Sequence, residues 1–184
     1  MNTALDQLAS GRTEAASVNL IAKEAGLSWG SVQNLFEDAD GFWAAVVASI
    51  IEAGPSMWAA PTSATVGGRL AEVADLYLQV LGSPHGVAVE TVRAALPRNF
   101  DVLVETHPRT AAVLHDLDER WSRAFVKFLH GLDVDEERLR DVAVVLASGL
   151  RGFRTDTLLG APTDPDRARR TLVSALTAYL EDRS

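Results

Sequence analysis

Twenty residues near the start of the chain, Ser17 to Phe36, constrain its fold more than any other stretch. They read Ser-Val-Asn-Leu-Ile-Ala-Lys-Glu-Ala-Gly-Leu-Ser-Trp-Gly-Ser-Val-Gln-Asn-Leu-Phe. Ser17 suits the N-cap of a helix through Ala25, because its hydroxyl can accept from a free N–H of the first turn. Gly26 suits the positive φ that closes that helix, which a side chain would resist. Ser28 then caps a second helix through about Phe36. Only Gly26-Leu27-Ser28 separates the two, which is helix-turn-helix spacing. Ile21 and Ala22 face inward, Ala22 being small enough for two helices to cross closely. Leu27 plugs the turn, and Val32, Leu35 and Phe36 are expected to hold the second helix against its neighbours. Trp29, Ser31, Gln33 and Asn34 are left pointing outward, and Gly30 leaves a bare patch.

The rest of the chain is punctuated in the same way. Glycine and proline fall between segments of helical period, and no stretch alternates with period two. A first helix is expected from about Thr3 to Ser10, closed by Gly11. Asp40 is expected to cap a fourth, striped by Phe42, Trp43, Val46, Val47, Ile50 and Ile51 and weakened at Gly54-Pro55. After a loop from Pro61 to Gly68, further helices reach Gly82, run from Ser83-Pro84 to Leu96, and from Pro108 to His130. The segment from Asp135 to Leu159 is apolar on nearly every side around Val142 to Leu150. A helix of that kind must be covered all round, which in a chain this small predicts a subunit interface. Asp164-Pro165 opens a last helix striped by Leu172, Val173, Leu176, Tyr179 and Leu180. The fold class is all-α, with about nine helices.

Composition narrows the function. The chain has 184 residues, 47% hydrophobic and 23% charged, as in ordinary globular proteins. Cysteine is absent, which excludes disulfides, thiolate metal sites and cysteine nucleophiles. His85, His107, His115 and His130 lack zinc-ligand spacing. There is no glycine-rich phosphate loop, no His-Glu-x-x-His and no nucleophile elbow; no enzyme activity, metal or cofactor is expected. Met1 to Gly11 holds no secretory apolar core. The longest strongly apolar run, Phe42 to Ile51, is half of the roughly 20 residues a membrane span needs. A cytoplasmic protein with no membrane partner is expected. The net charge of −8 argues against non-specific nucleic-acid binding.

With Ser17, Ile21, Ala22, Ala25, Gly26, Leu27, Ser28, Gly30, Ser31, Val32 and Phe36 in their places, the segment resembles the signature of the TetR family of transcriptional regulators. Gly149-Leu-Arg-Gly152 in the penultimate helix also looks like that family. The resemblance implies a three-helix DNA-binding head, residues 1–45, and a ligand-binding and dimerisation body, residues 46–184. The implied function is that of a ligand-responsive regulator, a repressor, binding a pseudo-palindromic double-stranded operator as a homodimer. Residues expected to meet DNA are Ser17, Lys23, Ser28, Trp29, Gly30, Ser31, Gln33 and Asn34. Serines at helix N-termini suit phosphate, and amides suit adenine edges. A small, apolar effector is expected among Trp58, Tyr77, Phe100, Trp121 and Phe125, with Arg93, His115 and Arg154 as polar contacts. The dimer interface is expected at Val142, Val145, Leu146, Leu150, Phe153, Leu172, Leu176 and Tyr179, as a four-helix bundle made by the last two helices.

Three features depart from the family pattern. Gln33 stands where tyrosine is usual, and Ala39 where a phosphate-contacting lysine is usual. The first helix is short and lacks a basic lead-in. Residues 1–45 hold two basic side chains, Arg12 and Lys23, against six acidic ones, a net of −4, whereas DNA-binding heads lean basic. These departures motivate a second expectation, a TetR-like helical dimer that has lost DNA binding and acts as a small-molecule sensor or partner-binding module.

Overall fold

The computed structural model describes residues 2–53, 60–162 and 164–182. The predicted break at Gly54-Pro55 and the candidate ligand residue Trp58 lie outside them. Among the described residues the chain is helical throughout, with ten α-helices and no strand. In order these are α1 (Asn2–Leu8), α2 (Val18–Glu24), α3 (Trp29–Phe36), α4 (Ala39–Ala53), α5 (Val66–Gly82), α6 (Pro84–Ala95), α7 (Phe100–Thr106), α8 (Pro108–Leu129), α9 (Glu136–Leu158) and α10 (Pro165–Glu181). A single 3-10 turn, Thr13–Ala15, joins α1 to α2. The chain divides into two compact units, residues 1–55 with 81–118, and residues 56–80 with 119–184.

In the first unit α1 packs on α6, and α4 packs on both α3 and α6. The core is built by Leu8, Ile21, Val32, Val47, Val92 and their neighbours, with Leu27 and Phe36 packed against it. Phe36, Phe42 and Trp43 stack edge to face, with ring centroids 5.4 and 5.2 Å apart, a favoured arrangement of aromatic quadrupoles. Helix α7 is absent from the sequence expectation, because Phe-Asp-Val-Leu-Val-Glu-Thr between two prolines carries little helix propensity. Its start is capped by Asn99, whose side chain accepts from Val102 N at 3.1 Å, and its Leu103 packs against the core.

The second unit buries Leu70, Val73, Phe125, Leu129, Leu146 and Leu150 among others. Helices α9 and α10 meet closely where α9 carries Gly149: a Cβ there would lie 2.7 Å from Leu172 Cδ2. The loop before α5 is clamped by Glu72, which accepts from Thr62 N at 3.0 Å and Ser63 N at 2.8 Å. Arg69 closes the far end of α8 by donating to Phe128 O and His130 O at 3.2 and 2.8 Å, a charged group on the carbonyl end of a helix dipole.

Candidate nucleic-acid interface

The turn between α2 and α3 is built as its residues predict. Ser17 accepts from Leu20 N at 3.4 Å, and Gly26 holds φ at +70°. Leu27 N then returns to Ala22 O at 2.8 Å. Ser28 accepts from Ser31 N at 3.1 Å, and the two hydroxyls lie 3.0 Å apart. Ser28 and Ser31 thus engage one another at the start of α3. Val32 is fully buried and anchors the helix. Lys23, Ser28, Gly30, Gln33 and Asn34 are exposed, Trp29 is 44% exposed, and Ser17 and Ser31 are half-buried. One expectation is corrected: Leu35 does not pack inward but stands 65% exposed. On a helix of 3.6 residues per turn it lies about 80° from the middle of the Val32–Phe36 stripe on the side of Ser31, and the core closes without it.

Gly30 provides a test that separates fold from binding. A Cβ there meets nothing nearer than Ser28 Oγ at 3.7 Å, so alanine fits. Gly30→Ala should stabilise the protein by about 0.5 kcal/mol through higher helix propensity. It also adds a methyl where a nucleic-acid backbone would approach, so duplex affinity should fall while the melting temperature rises.

The corner between α3 and α4 concentrates charge. Glu37 closes α3 at φ +72°, the one non-glycine residue with positive φ among those described. Asp38, and not Asp40 as the sequence suggests, caps α4: its carboxylate accepts from Gly41 N at 2.8 Å. Asp40 is 7% exposed and turns instead to the start of α8. It accepts from Arg109 N and Thr110 N, each at 2.9 Å, and from the Thr110 hydroxyl at 2.7 Å. It therefore caps a helix that begins some seventy residues later. Burial raises the Asp40 pKa, but the hydrogen bonds from Thr110 and Arg109 outweigh it and hold the carboxyl below its ordinary value. The Arg109 guanidinium also reaches Glu37 at 3.0 Å and pairs with Asp38. One cation from α8 thus gathers three carboxylates at the end of α3.

The unit that holds α2 and α3 is strongly acidic. Residues 1–55 and 81–118 carry twelve acidic and five basic side chains, a net of −7; the remainder is nearly balanced, at −1.

The expected effector residues that are described do not form one site within either unit. Tyr77, Trp121 and Phe125 come together in the second unit, with centroid distances of 4.4 Å for Tyr77–Trp121 and 6.1 Å for Trp121–Phe125. Phe125 is fully buried, and Trp121 Nε1 donates to Ala143 O at 3.2 Å. These rings fill a core. Arg154, half-buried, belongs to the same unit. Arg93, Phe100 and His115 belong to the first unit. Arg93 is held by Asp118 at 3.0 Å and Glu90 at 3.6 Å, while Phe100 and His115 are exposed. An open groove of about 490 Å³ runs between α5 and α10, lined by Gly67, Ala71, Val173, Ser174 and Thr177 with Arg169 and Arg170; among the described residues, none of the expected effector residues lines it.

The expected interface residues also divide. Val142, Leu146, Leu150 and Leu176 are buried inside the unit's own core, and Phe153 and Leu172 are half-buried against it. The apolar girth of α9 has this intramolecular cause: α10 covers one side and Trp121 of α8 another. What stays uncovered is Val144 at 62%, Val145 at 47% and Tyr179 at 40% exposure, with Leu158 and Leu159 exposed at the end of α9. Val145 and Tyr179 are therefore the expected interface residues that remain outward. Among the described residues no helix is long and apolar enough to cross a membrane.

No family model and no curated protein matches the chain. A solved structure does: a transcriptional regulator from Rhodococcus sp. Rha1, with a TM-score of 0.65 and 19% identity, covering all of this chain and 98% of that one. The two share a fold from end to end.

Proposed function

We propose that this protein is a ligand-responsive transcriptional regulator of the TetR type, a repressor that binds a pseudo-palindromic duplex as a homodimer. The observation that carries the reading is the pair of capped helices α2 and α3. Their Gly26 turn and buried Val32 leave Trp29, Gly30, Gln33 and Asn34 outward on one short helix. The full-length likeness to a transcriptional regulator supports it. Two such helices in a dimer would enter successive major grooves. A small apolar effector would release DNA by binding better to the arrangement of the dimer that does not fit the operator.

The dimer surface in this reading is the outward side of α9 and α10, centred on Val144, Val145 and Tyr179. Sedimentation at tens of micromolar should give a dimer, and Val144→Asp with Val145→Asp should give a monomer that keeps its helical content. A wild-type monomer would count against the proposed surface.

A second reading is favoured by one observation, the net −7 of the unit that carries the turn. In it the helical dimer no longer binds DNA and serves as a sensor or partner-binding module. Anisotropy of a labelled duplex from immediately upstream of the protein's own coding sequence separates the two. The DNA reading predicts specific binding at low salt. Arg12 and Lys23 give two cations per head and four per dimer, so log K should fall against log salt with a slope no steeper than about −4. No binding at micromolar protein and low salt would favour the second reading.

A further inference from the structure

Leu35 is not part of the buried core. It stands 65% exposed in the last turn of α3, while Val32, Phe36 and Leu27 close the core behind it. By helical period it stands at one edge of the exposed face of α3, about 100° from Asn34 and beyond Ser31, and Trp29 and Gln33 stand toward the other edge. Along this face α3 carries two carboxamides and two large apolar side chains, and no cation. That set of groups selects among base pairs. Guanine offers two acceptors that suit arginine or lysine, which α3 lacks. Adenine offers an acceptor and a donor that match a carboxamide. Thymine alone projects a methyl group into the major groove, where an apolar side chain can cover it. The acidic surroundings sharpen the argument, since little attraction to phosphate is available and contacts to bases must carry a larger share of the affinity.

We infer that α3 reads A·T base pairs, with Leu35 setting specificity by covering a thymine methyl and Gln33 or Asn34 pairing with adenine. This rests on the DNA-binding reading above.

The test uses the full-length protein and a pool of duplexes with a randomised core, retained at low salt. The half-sites selected should be A·T-rich at their centres. Thymines are then replaced one at a time by uracil, which lacks only the methyl. Covering one methyl is worth about a fourfold change in Kd. At one thymine per half-site the wild type should lose about fourfold on replacement. Leu35→Ala should bind the thymine duplex about fourfold more weakly and show no further loss with uracil, and Leu35→Met should keep the thymine preference. Because Leu35 is exposed, these variants should match the wild type in circular dichroism and melting temperature. G·C-rich half-sites, or a uracil effect equal in wild type and Leu35→Ala, would overturn the inference and leave DNA binding standing. A pool from which no duplex is retained would overturn DNA binding, and the inference with it.

Discussion

Gly41→Ala should be among the most damaging single substitutions in the chain, costing about 3–5 kcal/mol. Gly41 lies in the first turn of α4, buried beneath the end of α3. A Cβ there would fall well inside contact distance of the Phe36 carbonyl oxygen and 2.8 Å from Arg109 Nη1. Arg109 is the far end of a flexible side chain and can move aside. The Phe36 carbonyl is backbone, and it can yield only if the last turn of α3 shifts away from α4. That turn carries Leu35 outward and Phe36 inward, so the shift would also disturb the Phe36–Phe42–Trp43 stack. Duplex binding should fall with stability. Chemical denaturation of Gly41→Ala beside Gly30→Ala makes the comparison direct. The same chemical change should have opposite signs eleven residues apart, because one site is filled and the other open.

Asp40→Ala should cost about 2–3 kcal/mol. The change strips two partners from the start of α8, the N–H groups of Arg109 and Thr110, and leaves a buried hydroxyl with one acceptor fewer. Orphaned buried donors cost more than the net worth of the bonds they lose. Arg109→Ala should cost less, because its guanidinium is 41% exposed and exposed ion pairs contribute little. Acid should reproduce part of the Asp40 effect. The folded-state pKa of Asp40 lies below its ordinary value of 3.8. Its contribution to stability is therefore complete above that value and is lost as pH falls through it and through the lower folded value. Asp40→Asn keeps the shape and one acceptor oxygen but cannot titrate. It should be less stable than wild type at neutral pH, and the difference should shrink below about pH 4. A constant gap between the two from pH 7 to pH 3 would contradict the assignment.

How much of this was legible in the sequence follows from how local each interaction is. The α2–α3 turn could be read residue by residue, since its caps and its Gly26 are satisfied within a few positions. So could the helix starts at Asp135 and Asp164, whose carboxylates accept from Arg138 N and Arg167 N. Asp40 was misread because its partners are Arg109 and Thr110, and nothing in residues 38–41 distinguishes a cap of the next helix from a cap of a distant one. Leu35 is not legible as exposed because apolar character predicts burial on average, and a single outward apolar side chain breaks that average. Val142, Leu146 and Leu150 are buried, as the apolar girth of α9 implies, but periodicity does not say whether the cover comes from the same chain or another. The aromatic residues of the body posed the same ambiguity, since composition alone does not separate rings that fill a core from rings that line a cavity.

In the proposed dimer, two copies of α3 read successive turns of one duplex. Hydroxyl-radical footprinting of a retained duplex tests it most directly. Two protected patches of equal strength are expected, with centres about 10–10.5 base pairs apart or a whole number of turns apart, both lost together in Val144→Asp with Val145→Asp. A duplex that shows no protection at saturating protein, or a single patch that persists in that variant, would contradict it.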